Sequence, residues 1–372
     1  MKKIVYLMEY PIDLPGGAQM STLSICEGLS DHKEYGYEPV VICPDLLEKK
    51  ESDYPFRILT YPMTESRIRN LFLRIRAFRE YIGQEKPDLV HIEMSESLIT
   101  YGFIQRKFKD IRFIYTDRGL LFGYRKRSRL FMFPVLKKSH MLVTTTRFNE
   151  ELWRKETDIR PLMVIPNTIS TRYFGDYDEL KRKEIGPDHK FTVGLAGRIC
   201  VEKDWDFAVE LIKKLSAVLS DLRINIVLST FEKGDDEKTE EIFREIAAAV
   251  GEDHLSRHLN LSQQEMADFY YDVDVFLMTS CFESFGKAAV EAMSRKCAVV
   301  STTVGGLPEV IGDDRYLYTK EDPEKGIRCI CELASDPQRL KGAGEYFYQR
   351  YRTLYSEDIY IENHRRIYDE II

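Results

Sequence analysis

Two glutamates stand on either side of a glycine-containing turn in the segment CFESFGKAAVEAM, residues 281–293. Glu283 follows an apolar run typical of a buried β-strand, and Glu291 lies in a later stretch with helical spacing. Ser284 is of a residue type that caps helix N-termini, and Gly286 lets the backbone approach a ligand closely. Because the first turn of a helix offers free N–H groups and a partial positive charge, the pattern predicts an anion site between two carboxylates.

The spacing of these two carboxylates suits a nucleotide sugar. Glu291 would lie roughly 7.5 Å beyond Gly286 along the helix axis, at ~1.5 Å per residue. A diphosphate at the helix start would leave the ribose hydroxyls near one carboxylate and the sugar hydroxyls near the other. A carboxylate accepts hydrogen bonds from a pair of vicinal hydroxyls well.

A second fragment, GLAGRICVEK, places basic side chains after another apolar run. Gly197 and Arg198 end that run and Lys203 follows it, so both cations can reach a common anion. An Arg–Lys pair on a loop is, taken alone, most often surface charge, and two glutamates at this spacing are most often incidental. Together at strand ends, the two fragments favour a diphosphate site.

Apolar runs alternate with helical patterns along the whole chain. Strands are predicted in the first half at KIVYLMEY, YEPVVICP, PDLVHIE, RFIYTDRG, HMLVTTT and PLMVIPN, and in the second half at FTVGLAGRI, RINIVLST, HLNL, VFLMTS and AVVST. The polar stretch GDYDELKRKEIGPDHK, residues 175–190, is the predicted linker. This alternation predicts two consecutive doubly wound parallel α/β domains, with ligands bound beyond the carboxyl ends of the strands.

One of the predicted helices is long and basic. In RIRNLFLRIRAFREYIGQEK, residues 67–86, an apolar face is expected to contain Ile68, Leu71, Ile75 and Phe78, with the arginines elsewhere.

Composition is that of an ordinary globular protein, with 372 residues, 44% apolar and 31% charged. The seven cysteines are scattered and lack zinc-site spacing, which favours reduced thiols and a cytoplasmic protein. The N-terminal run is too brief for a signal peptide, and no apolar run approaches the ~18–20 residues that span a bilayer. Any membrane contact is therefore expected to be peripheral.

Charge is distributed unevenly. Residues 67–138 contain 17 Lys and Arg against 7 Asp and Glu, while the whole chain has a net charge of −7. Within this region the segment YRKRSRLFMFPVLKKS, residues 124–139, interleaves basic and apolar side chains. Such a segment suits an anionic membrane surface or an anionic polymer acceptor. Equally, its apolar residues could pack in the core and its charges simply be solvated.

With these motifs in this order, the chain resembles the family 4 retaining glycosyltransferases of GT-B architecture. The resemblance is carried by GRICVEK, ESFGKAAVEAM and VVSTTVGGLPEVI, with VIPNTIS, LPGGAQ and PDLVHIE in support. It covers nearly the whole chain and is densest from residue 191 to 313. It implies two Rossmann-like domains facing a central cleft. Residues 1–175, completed by a C-terminal helix at 353–372, would bind the acceptor, and residues 186–350 would bind the donor.

The resemblance also implies roles for individual residues. Arg198 and Lys203 would hold the donor diphosphate and stabilise the leaving group, Glu283 would bind sugar hydroxyls, and Glu291 would bind the ribose. The remaining donor contacts are expected from Gly197, Ser284, Phe285, Gly286 and Lys287, with Gly16 and Gly17 bordering the cleft. The family uses no essential metal and no separate cofactor. Retention would proceed by front-face departure and attack, the leaving phosphate taking the acceptor's proton.

The chain departs from the family pattern on the acceptor side. The usual His-Asp after the fourth strand is replaced by IYTDRG, and the last position of the LPGGAQ loop is Gln19, where many relatives have an acid. The candidates for acceptor contacts are therefore Gln19, His91, Asp117 and Arg118. His91 could equally be a hydrogen-bonded structural histidine. The segment STFEKGD replaces a Gly-x-Gly, so the base pocket is expected to differ in detail.

The function predicted from all this is transfer of a hexose from a UDP-sugar to a cell-envelope glycan, a teichoic-acid-like polymer or a lipid-linked acceptor. An alternative is a non-catalytic GT-B partner subunit, which the intact Glu283, Arg198 and Lys203 disfavour. A nucleotide-sugar epimerase or hydrolase fits the motif set poorly. A nicotinamide-dependent dehydrogenase fits worse, because no G-x-G-x-x-G follows the first strand. No nucleic-acid partner is expected.

Overall fold

The computed structural model describes residues 1–14, 16–182, 184–186, 189–230 and 234–372, and it divides into two compact units. Unit 1 comprises Met1–Ser170 and Glu357–Ile372, and unit 2 comprises Thr171–Ser356. Each unit has its own parallel sheet with helices between the strands. The predicted fold class, two doubly wound α/β domains, is confirmed.

Unit 1 contains a seven-stranded sheet in the order β3-β2-β1-β4-β5-β6-β7. Its strands are nearly continuous apolar runs because helices cover both faces. The strands are β1 (Lys2–Leu7), β2 (Tyr37–Pro44), β3 (Arg57–Tyr61), β4 (Leu89–Ile92), β5 (Arg112–Asp117), β6 (Met141–Thr144) and β7 (Leu162–Val164). The helices are α1 (Gly17–Asp31), α2 (Arg67–Glu85), α3 (Ser95–Ile104), α4 (Lys126–Leu136), α5 (Arg147–Glu156) and the C-terminal helix (Glu357–Ile371).

Unit 2 contains a six-stranded sheet in the order β10-β9-β8-β11-β12-β13. Its strands are β8 (Thr192–Arg198), β9 (Arg223–Ser229), β10 (Leu255–Leu259), β11 (Val275–Met278), β12 (Ala298–Thr302) and β13 (Leu317–Tyr318). Its helices are α6 (Thr171–Phe174), α7 (Trp205–Val218), α8 (Asp235–Val250), α9 (Gln263–Tyr271), α10 (Lys287–Met293), α11 (Leu307–Ile311), α12 (Pro323–Ser335) and α13 (Pro337–Arg350). A single π-helical turn, Tyr351–Tyr355, precedes the C-terminal helix.

The register of the unit 2 sheet brings three loops to one edge. Strand β8 pairs in parallel with β11 through Val193 and Val275, and β11 pairs with β12 through Val275 and Ala298. Because neighbouring parallel strands end at the same edge, the loops after β8, β11 and β12 emerge side by side. These loops carry GRICVEK, CFESFG and TTVGGLPE.

The predicted apolar face of α2 is partly wrong. Phe78 is buried as expected, but Ile68 is 72% exposed and the buried face includes Arg74. The guanidinium of Arg74 donates to Thr100 Oγ1 (2.8 Å) and to the carboxylate of Glu96 (2.9 Å) on α3. The partners that α3 offers to Arg74 thus set which side of α2 packs inward.

The segment predicted as a linker belongs to unit 2, and hydrogen bonds hold it to the rest of that unit at two points. Arg182 donates to the carbonyl oxygen of Val273 (2.6 Å), and the buried Arg295 donates to that of Gly175 (2.7 Å). Residues 183, 187 and 188 of this segment lie outside the described residues.

Candidate active site

The loop after β8 is fixed by hydrogen bonds to its backbone. The indole N–H of Trp205 donates to the carbonyl oxygen of Arg198 (2.8 Å), and Thr279 Oγ1 donates to that of Lys203 (2.9 Å). A Cβ added to Gly197 would lie 3.3 Å from the Lys203 side chain, so this glycine leaves room for the lysine. The Arg198 side chain is exposed at the carboxyl edge of the sheet.

Lys203 and Glu283 meet at this edge. The Lys203 Nζ lies 2.8 Å from the Glu283 carboxylate, and the two side chains are 21% and 17% exposed. The structure therefore brings together two of the three residues predicted as catalytic, from loops 80 residues apart.

The backbone of Glu283 is held by the two glycines after β12. The N–H of Gly306 donates to the carbonyl oxygen of Glu283 (3.2 Å). A Cβ on Gly305 would lie 1.8 Å from that oxygen, and Gly305 has a φ of +56°. Both observations require glycine at this position.

Helix α10 begins two residues later than the sequence predicted. It starts at Lys287, with Gly286 as its N-cap residue at a φ of +93°, so the assignment of Ser284 as the N-cap is wrong. The physical reason is the left-handed backbone of Gly286, which turns the chain immediately before the helix. The Phe285 side chain is buried beside Tyr355, with ring centroids 5.7 Å apart. Only the backbone of Phe285 can therefore face a ligand.

Glu291 lies within α10 and is almost completely buried, with 9% exposed. The hydroxyl of Tyr270 donates to its carboxylate (3.1 Å), and burial raises the pKa of Glu291. Sequence reasoning missed Tyr270, as it missed Trp205 and Thr279, because no local pattern marks a side chain that supports a residue in another loop.

In unit 1, the glycine loop leads directly into α1. Gly16 is the N-cap residue of this helix in extended backbone, and Gly17 is its first residue. A Cβ on Gly16 would lie 2.5 Å from the side-chain oxygen of Gln19, which is itself 5% exposed. The Gln19 side chain is thus folded back against Gly16. Pro15 of the LPGGAQ loop lies outside the described residues, as do residues 231–233 of STFEKGD.

Two of the acceptor-side candidates are fully buried inside unit 1. His91 is hydrogen bonded to Tyr368 (2.8 Å) and Thr116 (2.7 Å), and burial lowers its pKa. Asp117 accepts hydrogen bonds from the Trp153 indole (2.6 Å) and the Asn149 amide (3.0 Å). Of the two interpretations of His91, the structure favours the structural histidine. Asp117 likewise links β5 to α5 and does not face solvent.

Arg118 lies at the end of β5 and is 10% exposed. It donates to Glu93 (2.6 Å) and to the hydroxyl of Tyr360 on the C-terminal helix (2.9 Å), and it also contacts Asn167. Glu93 is fully buried and was not singled out in the sequence. This polar cluster supports the carboxyl edge of the unit 1 sheet.

Within the part of the chain that the structure describes, no three His, Cys, Asp or Glu side chains gather closely enough to hold a metal ion. The metal-free mechanism remains a prediction.

Two family models match the chain, and together they cover most of it. Residues 15–173 match "Glycosyltransferase Family 4", and residues 176–350 match "Glycosyl transferases group 1".

Among curated proteins, the chain is similar to the GPI3 subunit of phosphatidylinositol N-acetylglucosaminyltransferase. Identity with the Schizosaccharomyces pombe subunit is 21%, over 96% of this chain and 78% of the relative. Identity with the Saccharomyces cerevisiae subunit is 24%, over 73% of this chain. The chain spans only 57% of that subunit's length.

Solved structures show the same fold. Sucrose-phosphate synthase from Thermosynechococcus elongatus aligns with a TM-score of 0.80 at 16% identity, over 100% of this chain and 99% of that one. The Anabaena protein HepE, solved with UDP-glucose, aligns with a TM-score of 0.80 at 14% identity, over 100% of both chains. With the family models and the residue geometry, these likenesses lead to one conclusion: the chain is a glycosyltransferase of the GT4 type and has the GT-B fold.

Proposed function

We propose that this enzyme transfers a hexose from a UDP-sugar to a cell-envelope glycan, a teichoic-acid-like polymer or a lipid-linked acceptor, with retention at the anomeric carbon. The observation that carries the proposal is the contact of Lys203 with Glu283 at the edge where Arg198 also emerges. A cation beside a carboxylate at this edge suits a diphosphate next to sugar hydroxyls. UDP as the carrier is supported by the likeness to HepE, which was solved in complex with UDP-glucose.

The proposed mechanism needs only side chains and backbone amides of this chain. Arg198 and Lys203 neutralise the charge that develops on the departing diphosphate, and Glu283 orients the sugar through its hydroxyls. The leaving phosphate accepts the proton of the acceptor hydroxyl. The buried Glu291 holds the ribose, with its orientation set by Tyr270. No metal or separate cofactor is proposed.

A lipid-linked acceptor is supported by the names of the curated relatives, which act on phosphatidylinositol. A second observation that supports a lipid-linked acceptor is an apolar and basic surface on unit 1.

Helix α2 packs against α3, and α3 against α4. We call the exposed side of these three helices the helical face. Its large apolar side chains are 57–72% exposed: Ile68 and Phe72 on α2, Phe103 on α3, and Leu130 and Phe131 on α4.

The same three helices and the turns beside them also carry exposed basic residues. Exposed examples are Arg67, Arg69, Arg76, Arg79, Arg106, Lys107, Arg125, Lys126 and Arg127. Within residues 124–139, Met132, Val135 and Leu136 are buried while Leu130 and Phe131 are exposed, so the segment serves both the core and the surface. Apolar groups among cations suit an anionic bilayer. No helix among the described residues is both long and apolar enough to span one. We therefore propose a cytoplasmic location, peripheral on the inner face of the cell membrane.

Transfer is tested by measuring UDP release from a panel of UDP-sugars with lipid-linked and polymeric acceptors. Acceptor-stimulated release that falls at least ~10-fold in Glu283→Gln supports the proposal. The second candidate is a partner subunit without activity of its own, and the word "subunit" in the relatives' names favours it. It predicts acceptor binding without UDP release from any donor in the panel.

Membrane association is tested separately by cosedimentation with liposomes. Binding to anionic but not neutral liposomes at low salt, weakened when Arg125, Lys126, Arg127 and Arg129 become Ser, supports the helical face. Equal binding to both liposome types, or none to either, contradicts it.

A further inference from the structure

A pocket at the opposite edge of the unit 1 sheet has no role in the reaction described above. It has a volume of about 210 Å³ and lies where β5 begins and where the chain leaves α3 and α4. Its lining includes Tyr101, Phe108, Ile111 and Phe113, which form an apolar floor. The carboxyl ends of the strands, where the acceptor is expected, are at the other edge.

The other side chains that line the pocket are basic or neutral. Arg106, Lys109 and Lys138 line the pocket, and no carboxylate does in the described structure. The side chains of these three cations form no hydrogen bond or ion pair with any other described residue. The neighbouring Lys137, in contrast, lies 3.4 Å from Asp158. Three unneutralised cations around one pocket repel each other, and an anion placed among them removes that repulsion.

His140 adds a directional donor. Its Nδ1 accepts a hydrogen bond from the backbone N–H of Phe113 (3.3 Å), so the proton of the neutral ring is on Nε2. Partial burial, together with the positive charge of Arg112, lowers the pKa of His140 and keeps the ring neutral at pH 7. The ring thus supplies an N–H donor to the pocket without adding a fourth charge.

The size of the pocket limits the ligand. The pocket volume is about 210 Å³. This is below the ~300–1,000 Å³ of sites that enclose a drug-sized ligand, and a nucleotide sugar does not fit. A small phosphorylated group does fit. Phe103, 58% exposed, precedes Arg106 by three residues, so an apolar chain attached to that group has a surface to lie on.

We propose that this pocket binds the phosphate-bearing headgroup of an anionic membrane lipid and thereby orients the helical face on the bilayer. The inference rests on the membrane association proposed above, and it adds a specific lipid site to a diffuse electrostatic attraction. Free phosphorylated compounds share the same chemistry, so the experiment must distinguish the two sources.

The experiment measures partition of the purified protein into vesicles of phosphatidylcholine with 20 mol% phosphatidylglycerol, by flotation. The pocket variant carries Arg106→Ser, Lys109→Ser and Lys138→Ser. The control carries Lys33→Ser, Lys155→Ser and Lys190→Ser, which removes the same charge from exposed positions away from the pocket. Partition of the pocket variant should fall at least ~10-fold below that of the control. Equal losses in both overturn the inference.

A second variant separates the pocket from the sum of charges. Gln105 lines the pocket, and Gln105→Trp fills it while all cations stay. Partition should fall several-fold, with Tm unchanged. Soluble glycerol phosphate should compete with vesicles for the wild type. If glycerol phosphate binds but both variants partition like wild type, the ligand is a free phosphorylated compound and the lipid inference is wrong. If the wild-type protein binds no vesicles at all, the proposed membrane association is wrong, and the lipid site with it. The proposed transfer reaction is not affected by that result, because UDP release tests it independently.

Discussion

Replacing Glu283 by glutamine changes one charge in the candidate active site and leaves its shape almost unchanged. Lys203 Nζ lies 2.8 Å from the carboxylate, and both side chains are about one-fifth exposed. At this separation, Coulomb's law gives about 6 kcal/mol at an effective dielectric of about 20 and about 1.5 kcal/mol in water, which bound the attraction before desolvation is subtracted. Glu283→Gln therefore releases Lys203 from its strongest partner.

Two opposite effects follow from this release. Lys203 becomes freer to meet a diphosphate, so the Kd for UDP should stay the same or fall a few-fold. Transfer should fall, because a charge-assisted hydrogen bond to a sugar hydroxyl contributes about 1.5–3 kcal/mol, equivalent to about 10–150-fold in rate.

UDP affinity is measured by calorimetry and transfer by UDP release at saturating donor. Glu321→Gln makes the same chemical change at an exposed position of unit 2 and serves as the control. A tenfold weaker UDP complex in Glu283→Gln would refute this reasoning, and so would transfer at the wild-type rate. The first result would place Glu283 in diphosphate binding, and the second would remove it from the site.

Four further results are expected. Arg198→Ala and Lys203→Ala should each reduce transfer at least ~10-fold and weaken UDP binding, and full activity in either would exclude that residue from the site. Glu291→Ala should raise the donor KM more than it lowers kcat, since ribose contacts change little as the bond breaks; steady-state kinetics with an unchanged KM would contradict this. Gly305→Ala should lower kcat by about 100-fold in a folded protein, because its Cβ would lie 1.8 Å from the Glu283 carbonyl oxygen and displace that loop. Transfer should survive EDTA, and loss restored by magnesium would refute the metal-free mechanism.

The residues predicted to bind the donor lie in loops whose geometry depends on local backbone. Gly286 and Gly305 have φ values of +93° and +56°, which other residues rarely adopt. Because these backbone conformations favour glycine, glycines stand at fixed sequence spacings from the charged residues whose backbone they position. The motifs in ESFGKAAVEAM and VVSTTVGGLPEVI are therefore readable as sequence, and the alternating apolar runs predicted the two sheets for the same local reason.

Two errors arose where a neighbouring element decides the outcome. Ser284 has the residue type of an N-cap, yet the backbone of Gly286 starts the helix later. Ile68 has the spacing of a buried face, yet the hydrogen bonds of Arg74 to α3 rotate that face away. The spacing of apolar residues indicates which side chains share a face of a helix. Which face is buried depends on the contacts that the neighbouring helix offers.

The residues predicted to face the acceptor depend on contacts that no local pattern contains. His91 is hydrogen bonded to Tyr368, 277 residues away, and Arg118 to Tyr360, 242 residues away. Both partners belong to the C-terminal helix, which returns to unit 1 and completes its polar interior. A strand-end histidine or arginine looks the same in sequence whether it faces an acceptor or such a helix. The glycines and charged residues of the unit 2 loops can be recognised from local sequence, whereas the residues predicted to face the acceptor can only be assigned once the long-range contacts are known.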